Sequence, residues 1–277
     1  MRLILLTAVA MLAFAGNSLL NRMAVAGGAI DPQSFALIRL AAGAVILAAM
    51  VGLRRGFGGA GIWPGWQGRL GGVCGLLLYL FAFSAAYTQL AAGTGALILF
   101  GAVQITMFAG ALWSGDALTS RRWIGAAMAF AGLLMLVAPG LIAGGVWPMA
   151  LMALAGAGWG LYSLIGRGAA DALAATAWNF LLALPFALVL WALSGPALIG
   201  ARGVVLAVIS GGVTSGLGYA LWYRLVPQLG AARAAVAQLT VPVIAAAGGL
   251  LLMGEGFSLH FVIAAIVVLS GVAVASR

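Results

Sequence analysis

Few residues of this 277-residue chain could carry out chemistry, and they do not assemble into a catalytic set. The single histidine, His260, and the single cysteine, Cys74, have no accompanying pattern of acid, base and nucleophile or of metal ligands. The sequence contains no glycine-rich loop of the phosphate-binding kind, so we expect no ATP-driven step. We therefore predict a protein that is not an enzyme and that holds no metal or cofactor.

Amide side chains lie within long apolar segments, where they are either structural or solute-binding. Asn17 and Asn21 are one helical turn apart and share a face, and Gln104 lies in mid-segment. Gln238 precedes Pro242 by four residues, and a proline at this spacing leaves the carbonyl group near residue 238 without its helical partner. Each amide could equally hydrogen-bond a neighbouring helix. We predict that all four amides contact a solute and that Pro242 is a gate or a structural element.

Aromatic side chains recur at helical spacing and divide into two groups by position. Tryptophans near the ends of apolar segments fit the belts that anchor helices at a membrane surface: Trp63, Trp66, Trp113, Trp123 and Trp147. Those in mid-segment are candidates for the wall of a solute pocket, with packing alone as the alternative: Tyr79, Trp159, Tyr162 with the adjacent Ser163, and Tyr219. A mostly apolar pocket with a few fixed polar groups suits a small amphiphilic solute.

The charged residues are sparse, and their positions bear on mechanism. The four acids, Asp31, Asp116, Asp171 and Glu255, all lie at predicted helix ends or in turns. Ion-coupled carriers usually need a carboxylate within the membrane, so we expect solute movement without tight ion coupling. Arg39 is the one charge within a predicted helix. It either pairs with Asp31 or a helix end, or it contacts a carboxylate or serves as a gate at the outer side.

The elements that must position these residues are apolar helices. Hydrophobic residues make up 65% of the chain and charged residues 6%, which excludes an ordinary soluble domain. The thirteen basic residues, all arginine, are scattered between apolar segments, so the net charge of +9 does not indicate nucleic-acid binding. Ten predicted helices cover about residues 3–22, 33–53, 69–89, 92–113, 121–138, 147–166, 174–194, 203–224, 230–252 and 259–276.

The first segment also resembles a cleavable secretory signal, because small residues follow its apolar run. We interpret it as a membrane helix, since its loss would destroy an internal duplication. Residues 91–135 align with residues 230–274 at an offset of 139, which places Gly110 on Gly249, Asp116 on Glu255 and Gly132 on Gly271.

The arginines indicate how the two copies lie in the membrane. Most arginines fall on one side when both termini are cytoplasmic, as the positive-inside rule requires. The pair Arg121-Arg122 of the first copy is replaced by His260-Phe261 in the second, so the second copy lies upside down. We predict an all-α membrane protein with ten transmembrane helices in two inverted five-helix repeats, residues 1–140 and 145–277. Such repeats are typical of secondary transporters, whose solute binds near the membrane midplane.

Several short motifs give the chain a family resemblance. They are Arg39, the pair Trp159-Gly160, Pro242, the pair Gly254-Glu255, and Gly271. With the five-plus-five layout, the chain is similar to the ten-helix EamA-type members of the drug/metabolite transporter superfamily. It departs from the family where Asn17 stands in place of a frequent tryptophan, and where Val103 is the first-repeat counterpart of Pro242.

The resemblance implies an exporter of small organic metabolites, most notably amino acids, that works by alternating access. Its expected partners are the lipid bilayer and a small-molecule substrate, without nucleic acid, and its expected location is a bacterial inner membrane. The chain would act as a monomer or weak homodimer. Two alternatives stay open: efflux of drugs or small cations, and a membrane scaffold or lipid handler that transports nothing.

Overall fold

The computed structural model of the chain describes residues 1–55, 63–113, 119–143, 145–166, 169–195, 197–229, 234, 237–256 and 258–275. Asp116, one of the four acids named above, lies outside the described residues. The described part is helical, and its one β-type contact is an isolated bridge between Ile30 and Ile199. The predicted all-α class is confirmed.

The helices follow the apolar segments of the sequence. They are α1 (Arg2–Val25), α2 (Pro32–Arg55), α3 (Arg69–Ala86), α4 (Ala92–Trp113), α5 (Ser120–Ala143), α6 (Val146–Gly166), α7 (Ala172–Leu193), α8 (Ala201–Ile209), a π-helical segment (Ser210–Leu217), α9 (Gly218–Leu229), α10 (Thr240–Met253) and α11 (Leu259–Ala275). Seven stretches of the described chain are long and apolar enough to cross a membrane: Arg2–Val25, Pro32–Arg54, Arg69–Ala86, Ala92–Trp113, Val146–Gly166, Ala172–Leu193 and Ala201–Val226.

Small residues let these helices approach closely, as is usual where lipid offers no hydrophobic driving force between helices. A Cβ atom on Gly75 of α3 would lie 2.8 Å from the carbonyl oxygen of Gly158 in α6, and one on Gly158 would lie 2.8 Å from that of Gly75. The α5–α11 contact is tighter, because a Cβ on Gly125 would lie 2.4 Å from the carbonyl oxygen of Gly271. Both contacts therefore require glycine.

The bundle has two distinct ends. At one, which we call the Arg69 end, α3 and α5 begin while α6 and α11 end. Arg54, late in α2, pairs there with Asp171, which caps α7 by accepting a hydrogen bond from the backbone N–H of Ala174. At the other, the Arg22 end, Arg22 near the end of α1 pairs with Glu255 in the turn after α10.

The predicted helix over residues 203–224 is not regular in the structure. Its middle, Ser210–Leu217, is a π-helix, a form that is rare and is frequently found at functional sites. The segment is rich in glycine, and a Cβ on Gly211 would lie 2.1 Å from the carbonyl oxygen of Arg39 in α2. Its hydroxyl groups hydrogen-bond α1, as described below. Contacts with two neighbouring helices thus accompany the altered backbone.

The predicted helix over residues 230–252 is also interrupted. Gln238 is helical, Leu239 is a turn residue, and α10 begins at Thr240. Pro242 lies in the first turn of α10, where its missing N–H removes no bond within that helix. The helix is therefore interrupted at Leu239, next to Gln238 and three residues before Pro242.

Candidate functional site

A deep cavity of about 850 Å³ opens at the Arg69 end and extends to the middle of the bundle. Its rim includes Arg122 near the start of α5, Gly166 at the end of α6 and Ala275 at the end of α11. Six of the predicted solute-binding residues line it: Gln104, Trp159, Tyr162, Ser163, Tyr219 and Gln238. The structure therefore brings together residues that lie up to 134 positions apart in the sequence.

The floor of the cavity is a layer of aromatic rings. Trp159 stacks on Tyr162 with the ring centroids 5.4 Å apart, and it lies 5.0 Å from the rings of both Tyr219 and Tyr79. Trp159 and Tyr219 also line a second, small cavity of about 20 Å³ on the far side, together with Asn17 and Tyr79. One layer of rings thus separates the open cavity from the buried polar groups behind it.

Arg39 lies behind this aromatic layer and is fully buried. Its Nη2 donates to the Tyr79 hydroxyl at 2.8 Å and its Nε to the Ser215 hydroxyl at 3.1 Å, while the Tyr219 hydroxyl also interacts with the guanidinium group. Among the described residues, Nη1 has no hydrogen-bond acceptor. The guanidinium carbon is 5.1 Å from the centre of the Phe83 ring, a distance suited to a cation–π interaction.

The pairing of Arg39 with Asp31, which their spacing suggested, does not occur. The carboxylate of Asp31 instead accepts hydrogen bonds from the backbone N–H groups of Ser34 at 2.8 Å and Leu198 at 3.0 Å. Asp31 thereby caps α2 and ties it to the segment before α8. Arg39 lines neither cavity in this conformation, and the same is true of Pro242.

The two asparagines of α1 serve interhelical contacts. The side-chain oxygen of Asn17 accepts hydrogen bonds from three hydroxyl groups of the π-helical segment: those of Ser210, Thr214 and Ser215. The Nδ2 group of Asn21 donates to the Ser84 hydroxyl at 2.8 Å, and its buried Oδ1 has no hydrogen-bond donor among the described residues. Asn21 lines neither cavity, whereas Asn17 lines the small one.

Arg69 is a cavity residue that sequence reasoning missed. In the sequence it is only one of the arginines that follow the positive-inside rule, at the start of an apolar segment. In the structure it is 6% exposed and lines the large cavity, and its Nη1 donates to the backbone oxygen of Ala175 at 2.7 Å and to Asn179 Oδ1 at 2.9 Å. Gly72 makes room for this arrangement, since a Cβ there would lie 2.7 Å from the Asn179 amide nitrogen. The signal that could have indicated it is Asn179, a polar residue that follows Asp171 by eight positions, as Arg39 follows Asp31 in the first repeat.

The Arg22 end of the bundle is closed by charged and backbone contacts. Arg22 Nε donates to Glu255 Oε1 at 2.8 Å, while its Nη1 donates to the backbone oxygens of Tyr87 and Thr88. Glu255 Oε2 accepts a hydrogen bond from the backbone N–H of Ala92 at 2.7 Å. Through these bonds the Arg22–Glu255 pair joins α1 to the connection between α3 and α4 and to the start of α4.

Local backbone geometry places Glu255 for this contact. Gly254 ends α10 in the left-handed conformation at φ 67°, which a glycine adopts without steric cost. The N–H groups of Gly254 and Glu255 then bond the carbonyl oxygens of Leu250 and Gly249.

No group of three or more His, Cys, Asp or Glu side chains in the described part of the chain could hold a metal ion.

Comparisons with known proteins agree with this architecture. The chain matches the EamA-like transporter family twice, over residues 1–138 and over residues 146–277. It is 47% identical over 275 residues to a protein of Pseudomonas aeruginosa described as uncharacterized. The alignment covers 98% of this chain and 93% of the relative. A solved crystal structure shares the fold with a TM-score of 0.66, at 20% identity over 97% of this chain and 96% of the other. Because the two family matches span both halves of the sequence, the chain belongs to the EamA-like transporter family, which makes it a multi-pass membrane transporter of the drug/metabolite transporter superfamily.

Proposed function

We propose that this protein is a secondary transporter that exports small organic metabolites, most notably amino acids, by alternating access. The observation that carries the proposal is the asymmetry of the bundle: a cavity of about 850 Å³ opens at the Arg69 end, while the Arg22–Glu255 pair closes the other end. A carrier that works by alternating access has its cavity open to one side of the membrane and closed to the other in its inward-facing or outward-facing state. The aromatic layer under the cavity is then the barrier that a solute must pass.

The alternation itself rests on two inverted five-helix repeats, residues 1–140 and 145–277. Contacts between α5 and α11 support this division. A Cβ on Gly125 would meet the carbonyl oxygen of Gly271 at 2.4 Å, and one on Gly132 would meet that of Ala264 at 3.2 Å. The offset of 139 places Gly125 on Ala264 and Gly132 on Gly271. Exchanging the repeats therefore exchanges the two contacts, as a pseudo-two-fold axis between these helices requires.

We further propose ten membrane crossings, with both termini and the Arg69 end in the cytoplasm of a bacterial cell. The stretch Ala201–Val226 supplies one crossing through α8, the π-helical segment and α9, while α5, α10 and α11 supply the three beyond the seven long apolar stretches. The arginine distribution supports this orientation, because arginines concentrate on the cytoplasmic side of inner-membrane proteins. The cavity lies within one chain, so a monomer or a weak homodimer suffices.

Transport is proposed to proceed without tight ion coupling. The three acids in the described residues all lie outside helix interiors and are engaged: Asp31 with backbone N–H groups, Asp171 with Arg54, and Glu255 with Arg22. None of them lines the large cavity. A carboxylate placed to exchange a proton or a sodium ion during the cycle would instead lie within the membrane beside the solute.

Uptake by proteoliposomes containing only this purified protein tests the proposal. We expect at least one labelled amino acid from a complete panel to enter faster than it enters empty liposomes, and collapse of a pH gradient to leave that net flux nearly unchanged. A parallel panel of cationic drugs measures the alternative. Failure of every amino acid and related metabolite to exceed the empty-liposome rate would refute the proposed export function.

A further inference from the structure

We propose that the solute carries an anionic group, specifically a carboxylate, and that Arg69 is the residue that binds it. This inference rests on the proposed transport function and narrows its substrate class. The charged side chains in the described lining of the cavity are all positive. The described lining contains the cations Arg69 and Arg122 and includes no aspartate or glutamate. A cleft lined by one sign of charge within low-dielectric walls concentrates solutes of the opposite sign.

The hydrogen bonds of Arg69 leave part of its guanidinium group available. Nη1 is bound by the Ala175 backbone oxygen and the Asn179 side chain, and Nε makes a long bond of 3.4 Å to the backbone oxygen of Gln67. Nη2 makes no hydrogen bond within the described part of the chain, although the residue is only 6% exposed. The side chain is therefore held in place while Nη2 stays free to donate to a group in the cavity.

A charge that is partly withdrawn from water is stabilised by a counter-ion, because desolvation of an ion is unfavourable. Within the described part of the chain Arg69 forms no ion pair, because the three acids there are engaged at the helix ends. The acceptors that Arg69 does have, a backbone oxygen and an amide, are neutral. A carboxylate of the solute would supply the missing charge, and the planar guanidinium fork is suited to bind it.

The surroundings of Arg69 specify the rest of the solute. Asn179 and Thr176 line the cavity beside it, and the Tyr162 hydroxyl donates to Thr176 Oγ1 at 3.1 Å. The stacked rings of Trp159 and Tyr162 form the adjoining wall. Small polar groups next to aromatic faces fit a compact acid with an apolar or aromatic body. Because the described lining holds no carboxylate to pair with it, an ammonium group on the solute is not required for binding.

Four probes that differ in one group at a time test this inference. They are 3-phenylpropionate, its neutral amide 3-phenylpropionamide, phenylalanine, and phenylalaninamide, which lacks the carboxylate and keeps the ammonium. Binding to the purified full-length protein in lipid nanodiscs is measured by thermal shift and by quenching of tryptophan fluorescence. We expect each acid to bind at least about tenfold more tightly than its amide, since hydrogen bonds to charged groups carry about 1.5–3 kcal/mol.

Variants assign the discrimination to Arg69. Arg69→Gln should reduce the acid-to-amide ratio to about one, while Arg69→Lys, which keeps the charge and loses the fork, should retain part of it. Arg121→Gln is the matched control, because Arg121 is exposed, neighbours Arg122 on α5 and lies outside the cavity lining. It should leave the ratio unchanged. Unliganded melting temperatures of all variants show whether each one is folded.

Several results would overturn the inference. They are equal binding of acids and amides by the wild-type protein, an undiminished acid preference in folded Arg69→Gln, and no binding of any probe below about 10 mM. A loss of preference in Arg121→Gln would also overturn it, because the effect would then come from the general surface potential. Because binding is measured separately from flux, the two proposals can fail independently. Acids that bind at Arg69 but are not transported would refute only the proposed transport function. Transport of solutes without a preference for acids would refute only the proposed carboxylate site at Arg69.

Discussion

Arg22 and Glu255 lie 233 residues apart in the sequence, yet their side chains meet at 2.8 Å and close one end of the bundle. Each partner has further bonds, Arg22 to the backbone oxygens of Tyr87 and Thr88 and Glu255 to the N–H of Ala92. The pair therefore joins α1, the α3–α4 connection and the α10–α11 turn at one point. Opening this end of the cavity requires these bonds to break together, so we interpret the pair as the lock of the closed end.

Glu255→Gln should favour opening at the Arg22 end, because it removes the charge from this lock. The loss of a charged hydrogen bond, roughly 1.4 kcal/mol, would raise the open fraction about tenfold. The reporter is Ser18→Cys in a Cys74→Ala background, since Ser18 is 1% exposed and lines the small cavity. Its rate of labelling by a membrane-impermeant maleimide should rise about tenfold. Asp171→Asn, which breaks the ion pair with Arg54 at the opposite end, serves as control and should not raise it.

Tyr79→Phe should destabilise the fold by about 1–3 kcal/mol, because it leaves Nη2 of the fully buried Arg39 without its acceptor. Tyr87→Phe is the matched control: Tyr87 is also buried, and its hydroxyl has neutral partners, the backbone oxygen of Ala92 at 3.2 Å and the Ser18 hydroxyl. Its cost should be smaller. Thermal unfolding of the detergent-solubilised variants measures both. Equal losses of stability in Tyr79→Phe and Tyr87→Phe would show that the charge of Arg39 does not strengthen its hydrogen bond to Tyr79.

Gly271→Ala should lower stability by about 1–3 kcal/mol, although alanine is the better helix former. The added Cβ would lie 2.6 Å from the backbone nitrogen of Ala129 and 2.7 Å from the carbonyl oxygen of Gly125, so α5 and α11 must separate. Gly166→Ala in α6 is the control, since nothing lies within 4 Å of its added methyl group. The melting temperature should fall for the first variant only. An unchanged melting temperature in Gly271→Ala would contradict the close packing of these helices.

Gln238→Leu should reduce solute flux in proteoliposomes about tenfold while the yield of folded protein stays constant, because one hydrogen bond to the solute is worth about 1 kcal/mol or more. The Gln238 side chain lines the cavity and makes no hydrogen bond within the described part of the chain, so its amide is available. In the control, Gln228→Leu, the exposed amide bonds only the backbone oxygen of Arg224 in its own helix. Wild-type flux in Gln238→Leu would remove Gln238 from the site.

The all-helical fold could be predicted from the sequence because runs of about 20 apolar residues have few alternatives to a membrane helix. The predicted bounds of α4, Ala92–Trp113, coincide with those in the structure. The π-helical segment could not be predicted, since its backbone is accompanied by hydrogen bonds to Asn17, 193 or more residues earlier in the chain, and by the approach of Gly211 to Arg39.

The candidate site was predictable in composition and less so in arrangement. Mid-segment aromatics and amides such as Trp159 and Gln104 do line one cavity, because polar groups are rare in such segments and tend to face the interior. Their role in binding remains a prediction. Arg69 escaped prediction because a charge at a helix start normally faces water, and its burial depends on Asn179, which lies 110 residues later. The Nδ2 group of Asn21, which is also predicted to contact solute, bonds Ser84 in this structure.

The most direct test of alternating access is solute flux with the Arg22 end covalently closed. Arg22→Cys and Glu255→Cys in the Cys74→Ala background are joined by a short reducible linker that carries two thiol-reactive groups. In proteoliposomes, we predict that cross-linking lowers flux to the rate of empty liposomes and that reduction of the linker restores it. Flux that continues at its full rate through the cross-linked protein would contradict the account, because the solute would then not pass through an opening at this end.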